Sequence, residues 1–406
     1  MLSHDTKTIL KKKEYIKKNT KEFNQVILAL FSGGFATFSI LYCVQSILPI
    51  FSKQFNLTPA ESSLSLSAAT GMMALGMLFT ASLSDVIGRK LLMSTCLFIA
   101  AMLTIICSMM SSWTAIVLCR ALTGLALSGV VAVAMTYISE EIHPNSLSFC
   151  MGLYISGNTI GGFTGRFLSS ILVEQFSWNI ALVVVGIFSF ISSCFFLYFL
   201  PSSKNFYSIS INFQKFFNRF YLNLKNCQLF ILFVIGFIIM GSFVTIFNYI
   251  GYRLMLEPFF LCQSNIGLLS SIYLTGVYSS PKAGILIKKY YRKSILIMSL
   301  ILMLFGLSIT QYDQLWIIIV GLIVFSSGFF ASHSIASSWI GAHTKIAKAQ
   351  ATSLYLFFYY LGSSIFGTFG GVFWMYSKWY GISMFITTVL LLGILLSCRL
   401  KNNNLT

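Results

Sequence analysis

The sequence predicts an all-α membrane protein: twelve transmembrane helices arranged as two pseudo-symmetric six-helix bundles. Three observations carry that expectation. The 406-residue chain is 57% apolar and only 9% charged, whereas a soluble domain runs near 25% charged. Apolar runs long enough to cross hydrocarbon recur with short polar breaks between them. Features of the first half return in the second at a nearly constant offset.

Taken in order, residues 1–24 hold seven lysines. That is more than the basic region of a signal peptide, and the apolar run behind them is too long for its core. They read as a solvated basic tail leading into a retained helix. The first bundle, 25–200, contains spans at 25–50, 62–84, 91–110, 114–138, 147–173 and 178–200. Residues 201–228 form the longest internal polar stretch and read as a linker. The second bundle, 229–399, contains spans at 229–252, 264–287, 294–311, 315–341, 350–375 and 380–399, followed by a short tail at 400–406. Each run reaches the roughly 18–25 residues a helix needs to cross a bilayer with its backbone bonds satisfied internally. The alternating ten-residue segments of a β-barrel are absent. The pattern is least regular at 264–287, which holds Pro281 and Lys282, and at the junction of the fourth and fifth spans.

The positions of the bases orient the chain. With the N-terminus inside, 21 of the 27 Lys and Arg fall on the cytoplasmic side and three (Lys53, Arg253 and Lys378) opposite; Arg120, Arg166 and Lys282 lie inside spans. This is a positive-inside distribution. It explains the net charge of +17 as a topology signal and an attraction to anionic lipid at the cytoplasmic face, so nucleic acid is not an implied partner. Of nine cysteines, all but Cys262 fall in spans or on the cytoplasmic side. No disulfide and no metal site is implied. Richness in Phe, Ile, Lys and Asn fits an AT-rich bacterial genome, and with it a cytoplasmic (inner) membrane.

An offset of about 201–205 residues aligns the two halves. Leu, Arg and Lys coincide between Ala81–Lys90 and Gly284–Lys293, Gly157 and Gly162 pair with Gly362 and Gly367, and Trp178 pairs with Trp379. A duplicated six-helix unit follows, and parallel halves place a solute at the midplane between them.

Asp85-Val-Ile-Gly88-Arg89-Lys90 resembles the loop 2–3 signature of the major facilitator superfamily, G-x-L-x-D-R-x-G-R-K, with Ala81 for the first Gly and Val86 for the first Arg. Arg120-Ala-Leu-Thr-Gly124 resembles the family's R-x-x-x-G element. Gly157-Asn158-Thr159-Ile160-Gly161-Gly162 resembles the fifth-span antiporter motif G-P-x-x-G-G, with Asn158 where Pro is expected. The resemblance covers nearly the whole chain and points to the twelve-span drug:proton antiporter and sugar-efflux branch. It implies alternating access, and it implies that Arg120 faces a central cavity.

The residues themselves supply the rest. Asp85, Gly88, Arg89 and Lys90 form a short polar turn at the membrane edge, suited to a gating latch that holds one packing of the halves. In the echo of this loop Lys288 replaces the acid, so the second copy cannot form the same latch. Cations inside spans are costly and mark function by default: Arg120 in span 4, Arg166 in the outer third of span 5 within snorkelling reach of the interface, and Lys282 beside Pro281, where broken backbone suits a cavity wall. No carboxylate occupies a mid-span position. A cationic cavity repels cationic drugs and favours neutral or anionic solutes. Proton coupling then falls to Asp85, Glu61, Glu140 or His333, the only histidine in a span, whose ordinary pKa suits proton transfer. Tyr359, Tyr360 and Asn158 are candidate solute contacts, or else helix-to-helix hydrogen bonds. Gly124, Gly157, Gly161, Gly162, Gly362 and Gly367 permit close helix approach and serve as candidate pivots.

The expected function is secondary transport of a small solute by a monomer, outward in direction, with protons as the candidate coupling ion and no cofactor. An enzyme is disfavoured because no span holds a His-Glu-x-x-His set, a carboxylate pair or an activated nucleophile. ATP-driven pumping lacks its phosphate-cradling loop. A multidrug/proton antiporter and a degenerate, non-transporting subunit or receptor are the competing readings.

Overall fold

The computed structural model describes residues 14–206, 213–287, 289–344 and 348–401. Asp5, the tail lysines up to Lys13, Lys288 and Lys345 lie outside the described residues. Fourteen α-helices follow in order: α1 Lys21–Tyr42, α2 Leu48–Phe55, α3 Pro59–Ile87, α4 Arg89–Ser108, α5 Trp113–Glu141, α6 Leu147–Gln175, α7 Trp178–Phe199, α8 Phe213–Lys225, α9 Cys227–Leu254, α10 Gln263–Leu268, α11 Thr275–Leu286, α12 Arg292–Ile309, α13 Leu315–His343 and α14 Lys348–Cys398. Among the described residues the one β-type pairing is an isolated bridge between Ile16 and Ile142. Among the described residues, nine helical stretches are long and apolar enough to cross a membrane. The last of these contains two predicted spans, bent where Ser377 and Lys378 leave helical geometry. With α6 and the α10–α11 segment, every predicted span falls on helical structure.

Helix starts follow from local chemistry. Thr58 caps α3 through the Glu61 N–H, Glu61 returns the bond, and Pro59 occupies the first turn, where its missing N–H is no loss. Ser112, Ser177 and Asn226 cap α5, α7 and α9. Gly88 joins α3 to α4 at φ 101°, a conformation that an L side chain adopts only with strain.

Four boundaries differ from the sequence expectation. The run 25–50 is not one helix: α1 stops at Tyr42, and the chain turns before α2 restarts with Pro49 in its first turn. The run 264–287 is α10, a 3-10 turn over Leu269–Leu274, and α11, so its backbone is broken well ahead of Pro281. The linker contains the helix α8. The tail is not wholly solvated, because Ile16 is buried and its backbone pairs with Glu141 and His143.

In the first half α1 packs on α6 and α7, α3 on α5, and α4 on α5 and α7. In the second, α9 packs on α14, and α13 on α11 and α12. The seams repeat: a Cβ on Gly157 would lie 2.5 Å from the Phe31 carbonyl oxygen, and one on Gly362 would overlap that of Phe237. The halves meet mainly where α3 lies on α14 and α6 on α10. Below, the end of the bundle that carries α2 is called the α2 end, and the opposite one, with Gly88 and α8, the linker end.

Candidate functional site

Arg166 is the centre of the site. Gly157, Gly161 and Gly165 seat α6 directly against the α1 backbone at Phe31, Phe35 and Ser39, which brings the next residue beneath the C-terminal end of α1. There Arg166 is 4% exposed. Its Nε donates to Gln45 Oε1 at 2.6 Å and its Nη1 to the Gly162 carbonyl at 2.7 Å. The rings of Tyr42 and Tyr273 lie 4.0 and 4.3 Å from it. It does not snorkel, because these contacts hold it inside. Removing a charge from water costs several kcal/mol, and two desolvated cation–π contacts of about 2 kcal/mol each offset part of that. No acid among the described residues pairs with it.

From Arg166 a polar chain crosses between the halves. Gln45 Nε2 donates to Asn248 Oδ1 at 2.8 Å, and Asn248 and Tyr249 both donate to the Gly367 carbonyl. Nearby Gln263 Nε2 reaches the Ser46 carbonyl at 2.6 Å. Further toward the α2 end, the Tyr252 hydroxyl sits 2.6 Å from both Ser52 Oγ and Ser62 Oγ, and Glu174 accepts the Ser264 N–H at 2.6 Å. That bond holds the Glu174 carboxyl below its usual pKa. Ser364 Oγ donates to the Ser67 carbonyl at 2.7 Å, and a Cβ on Gly371 would overlap Ala60. The α2 end is therefore closed.

Aromatic side chains surround the same centre. His333 Nδ1 is 2.9 Å from the Tyr355 hydroxyl, and its ring lies 4.6 Å from that of Tyr359. Tyr360 packs edge-on to Tyr359 and is close enough to Tyr42 and Tyr154, in the other half, to interact electrostatically. The Tyr154 hydroxyl and Asn158 Oδ1 neighbour each other, but neither completes a hydrogen bond of good geometry. Candidates far apart in sequence (Asn158, Arg166, His333, Tyr359 and Tyr360) thus come together.

Two expected cavity cations do not join them. Arg120 is 1% exposed and gives its three nitrogens to the carbonyls of Ser65, Ile40 and Leu41 at 2.6–3.0 Å. It caps the end of α1, where C-terminal carbonyls carry partial negative charge, instead of facing a cavity. Lys282 is exposed, with Nζ 3.0 Å from the Tyr278 hydroxyl one turn earlier; the break in its span lies elsewhere. Of the candidate pivots, Gly124, Gly157, Gly161 and Gly362 seat helices within one half. Gly162 supplies a carbonyl to Arg166. Gly367 lies at the crossing between halves, its Cβ position 3.3 Å from Ser67 Oγ.

At the linker end Arg89 is 6% exposed. It binds Glu140 with Nε and Nη2 at 3.1 and 2.9 Å, pairs with Asp85 at 2.6 Å, and donates to Ser84 Oγ. Lys90 lies partly buried beside it. These partners all belong to the first half. The next residue, Glu141, is fully buried and accepts the backbone N–H groups of Lys204 and Asn205. Asn205 also bonds Glu14 in the tail. Lys204 pairs with Glu22 at 2.8 Å, which raises its ammonium pKa. The tail, α5 and the start of the linker form one knot around the α3–α4 turn.

The sequence profile of the Major Facilitator Superfamily matches residues 30–262, more than half of the chain. The chain belongs to the major facilitator superfamily. "Uncharacterized transporter BU588" of Buchnera aphidicola subsp. Acyrthosiphon pisum (strain APS) is 78% identical over 395 residues, 97% of this chain and 96% of that protein. The inner membrane transport protein YnfM of Escherichia coli (strain K12) is 52% identical over 396 residues, 98% and 95% of the two chains. A shorter stretch, 34% of this chain and 31% of the other, is 29% identical to the benzoate transport protein of Acinetobacter baylyi (strain ATCC 33305 / BD413 / ADP1). Among solved structures, a mutant of the nucleoside transporter NupG has the same fold, with a TM-score of 0.75 at 15% identity over 92% of this chain and 99% of that one. As a superfamily member the chain is a multi-pass membrane transporter and not an enzyme.

Within that family setting, the residues missed in the sequence are Tyr42, Gln45, Asn248, Tyr252, Tyr273 and Tyr355. One signal was present: Gln45 and Asn248 are amides inside otherwise apolar runs, and a polar group at that depth needs a partner.

Proposed function

We propose that the chain is a secondary active transporter that moves a small neutral or anionic solute across the cytoplasmic membrane by alternating access. The observation that carries this reading is the chain Arg166–Gln45–Asn248–Gly367, which closes the α2 end directly over a cluster of polar and aromatic side chains drawn from both halves. The charge distribution supports an orientation with the linker end and both termini in the cytoplasm, facing anionic lipid; the structure is then the state closed to the outside. Twelve spans supply a pathway within one monomer. In the cycle the halves part at Ser52–Tyr252 and Gln45–Asn248 and close at the linker end, the glycine seams keeping each half rigid.

The fifth-span motif supports the drug:proton antiporter and sugar-efflux branch and outward transport. The lack of a mid-span carboxylate favours neutral or anionic solutes over cationic drugs within that branch, as does the partial likeness to a benzoate carrier. Protons are the coupling ion we assign, with His333 as carrier, because it contacts Tyr355 and Tyr359 within the cluster and an imidazole can both accept and donate a proton. Asp85, Gly88, Arg89 and Lys90 set the geometry of the linker-end gate.

Proteoliposome flux of neutral, anionic and cationic solutes, with and without an imposed pH gradient, tests the reading. Gradient-driven movement of a neutral or anionic solute is expected. Movement of cationic drugs alone would restore the multidrug reading, and no movement of any solute would overturn transport.

A further inference from the structure

We infer that Arg166 recognises the carboxylate of the transported solute, and that the solute is a small monocarboxylate with a flat apolar body. This rests on the transporter reading above and names what that site takes.

Charge balance comes first. The described ion pairs use Arg89, Lys204 and Arg253, which leaves Arg120 and Arg166 as buried cations without an acid; the partners of Arg166 are a side-chain amide, a carbonyl and two aromatic rings. Arg120 shows that carbonyls on all three nitrogens can hold a buried guanidinium without a counter-ion; Arg166 lacks that saturation, so an anion that arrives with the solute offsets its desolvation and leaves the protein free to cycle. Donor count comes second. Nε is committed to Gln45 and Nη1 to Gly162, whereas Nη2 has no acceptor among the described residues. A carboxylate oxygen is the acceptor that matches it in charge and strength.

Shape narrows the class. Tyr42 and Tyr273 close over the guanidinium, and Phe243 and Phe247 lie 5.0 and 4.6 Å from the Tyr273 ring, so the body beyond the carboxylate meets aromatic walls. A single cation matches one negative charge, not a phosphate dianion. Farther along, the incompletely bonded Tyr154 hydroxyl and Asn158 Oδ1 suit a polar substituent at the far end of the solute. The same Gln45 that holds Nε also donates to Asn248 across the seam, so occupancy at Arg166 bears directly on closure of the α2 end.

The test is calorimetric titration of the full-length protein in lipid nanodiscs with benzoate, nicotinate and hexanoate, against neutral benzamide, benzylamine and inorganic phosphate. Benzoate is expected to bind at least about tenfold more tightly than benzamide, the difference of one charge-assisted hydrogen bond, and benzylamine and phosphate not at all. Arg166→Gln should abolish the preference for benzoate over benzamide, and Arg166→Lys should retain part of it. Should Arg166→Gln fail to fold, Tyr273→Ala, which keeps the cation and removes a wall, should weaken benzoate more than hexanoate. Equal binding of benzamide and benzoate, failure of all three carboxylates to bind, or discrimination that survives Arg166→Gln would each overturn the assignment. None of these results touches the transporter reading, which stands or falls on flux of any solute in the wider panel.

Discussion

Tyr252→Phe removes one oxygen and keeps the ring. That hydroxyl lies 2.6 Å from Ser52 Oγ and from Ser62 Oγ, both in the other half, while the ring rests against Tyr249 and Trp374 and stays in place. Each neutral hydrogen bond contributes about 0.5–1.5 kcal/mol. Ser62 Oγ keeps its bond to the Pro59 carbonyl and the partly exposed Ser52 turns to water, so no full desolvation penalty remains. The closed α2 end should therefore lose about 1–3 kcal/mol, shifting the equilibrium between conformers by about 5- to 150-fold toward the open one. Spin labels at Gln54 and Phe260, one in each half and both exposed, read this as a distance distribution in nanodiscs, in a background whose nine cysteines have been replaced. Growth of the long-distance population is expected. An unchanged distribution, or one shifted to shorter distance, would refute the claim that these hydroxyls hold the halves together.

Three other outcomes follow from the same geometry. Glu140→Ala should lower stability in thermal unfolding by about 2–3 kcal/mol, because Arg89 is buried and loses its bidentate acceptor; Asp85→Asn, at a carboxylate 41% exposed, should cost about 1 kcal/mol or less, and the reverse order would count against this picture of the turn. Gly161→Ala places a methyl onto the Phe35 carbonyl and should cost about 1–3 kcal/mol, whereas Gly284→Ala, with nothing within 4 Å, should fold as the parent does. Glu174 has its pKa lowered chiefly by the Ser264 N–H. Its contribution to closure is therefore complete above the ordinary carboxylate pKa of about 4.3 and lost as pH falls through the lowered value; the spin-label distance should lengthen on acidification from pH 7, and Glu174→Gln should remove that part of the response.

Architecture was legible because it rests on summed, local signals. Apolar runs act within a few dozen residues, and the repeat compares two such local patterns between the halves; it is visible again in packing, where Gly157 meets Phe31 as Gly362 meets Phe237. The loop at Asp85–Lys90 was legible as a polar turn. Its chief acceptor was not, since Glu140 reaches Arg89 from 51 residues away. Depth in a span marked both Arg120 and Arg166, but the sequence pointed Arg120 to the cavity and Arg166 to the interface, and the structure instead holds Arg166 inside and keeps Arg120 out of the cavity. The difference lies in the end of α1, whose carbonyls take up the donors of Arg120 while Arg166 meets an amide and two rings. That end is invisible in a run as apolar as 25–50. Gln45 and Asn248 are 203 residues apart, and only the packing of one half on the other brings them together. Lys282 misled because a proline beside a lysine looks like a broken helix; the break lies in the 3-10 turn before it.

The central claim is that one site between the halves opens to each side of the membrane in turn. Asn158→Cys, alone in a cysteine-free background, reports on it without knowledge of the solute. Membrane-impermeant thiol reagent would be applied to right-side-out and to inside-out vesicles, with and without Tyr252→Phe. Alternating access predicts modification from both faces, with Tyr252→Phe speeding it from the α2 side and slowing it from the linker side. A thiol reached from one face alone, in both backgrounds, would contradict the account.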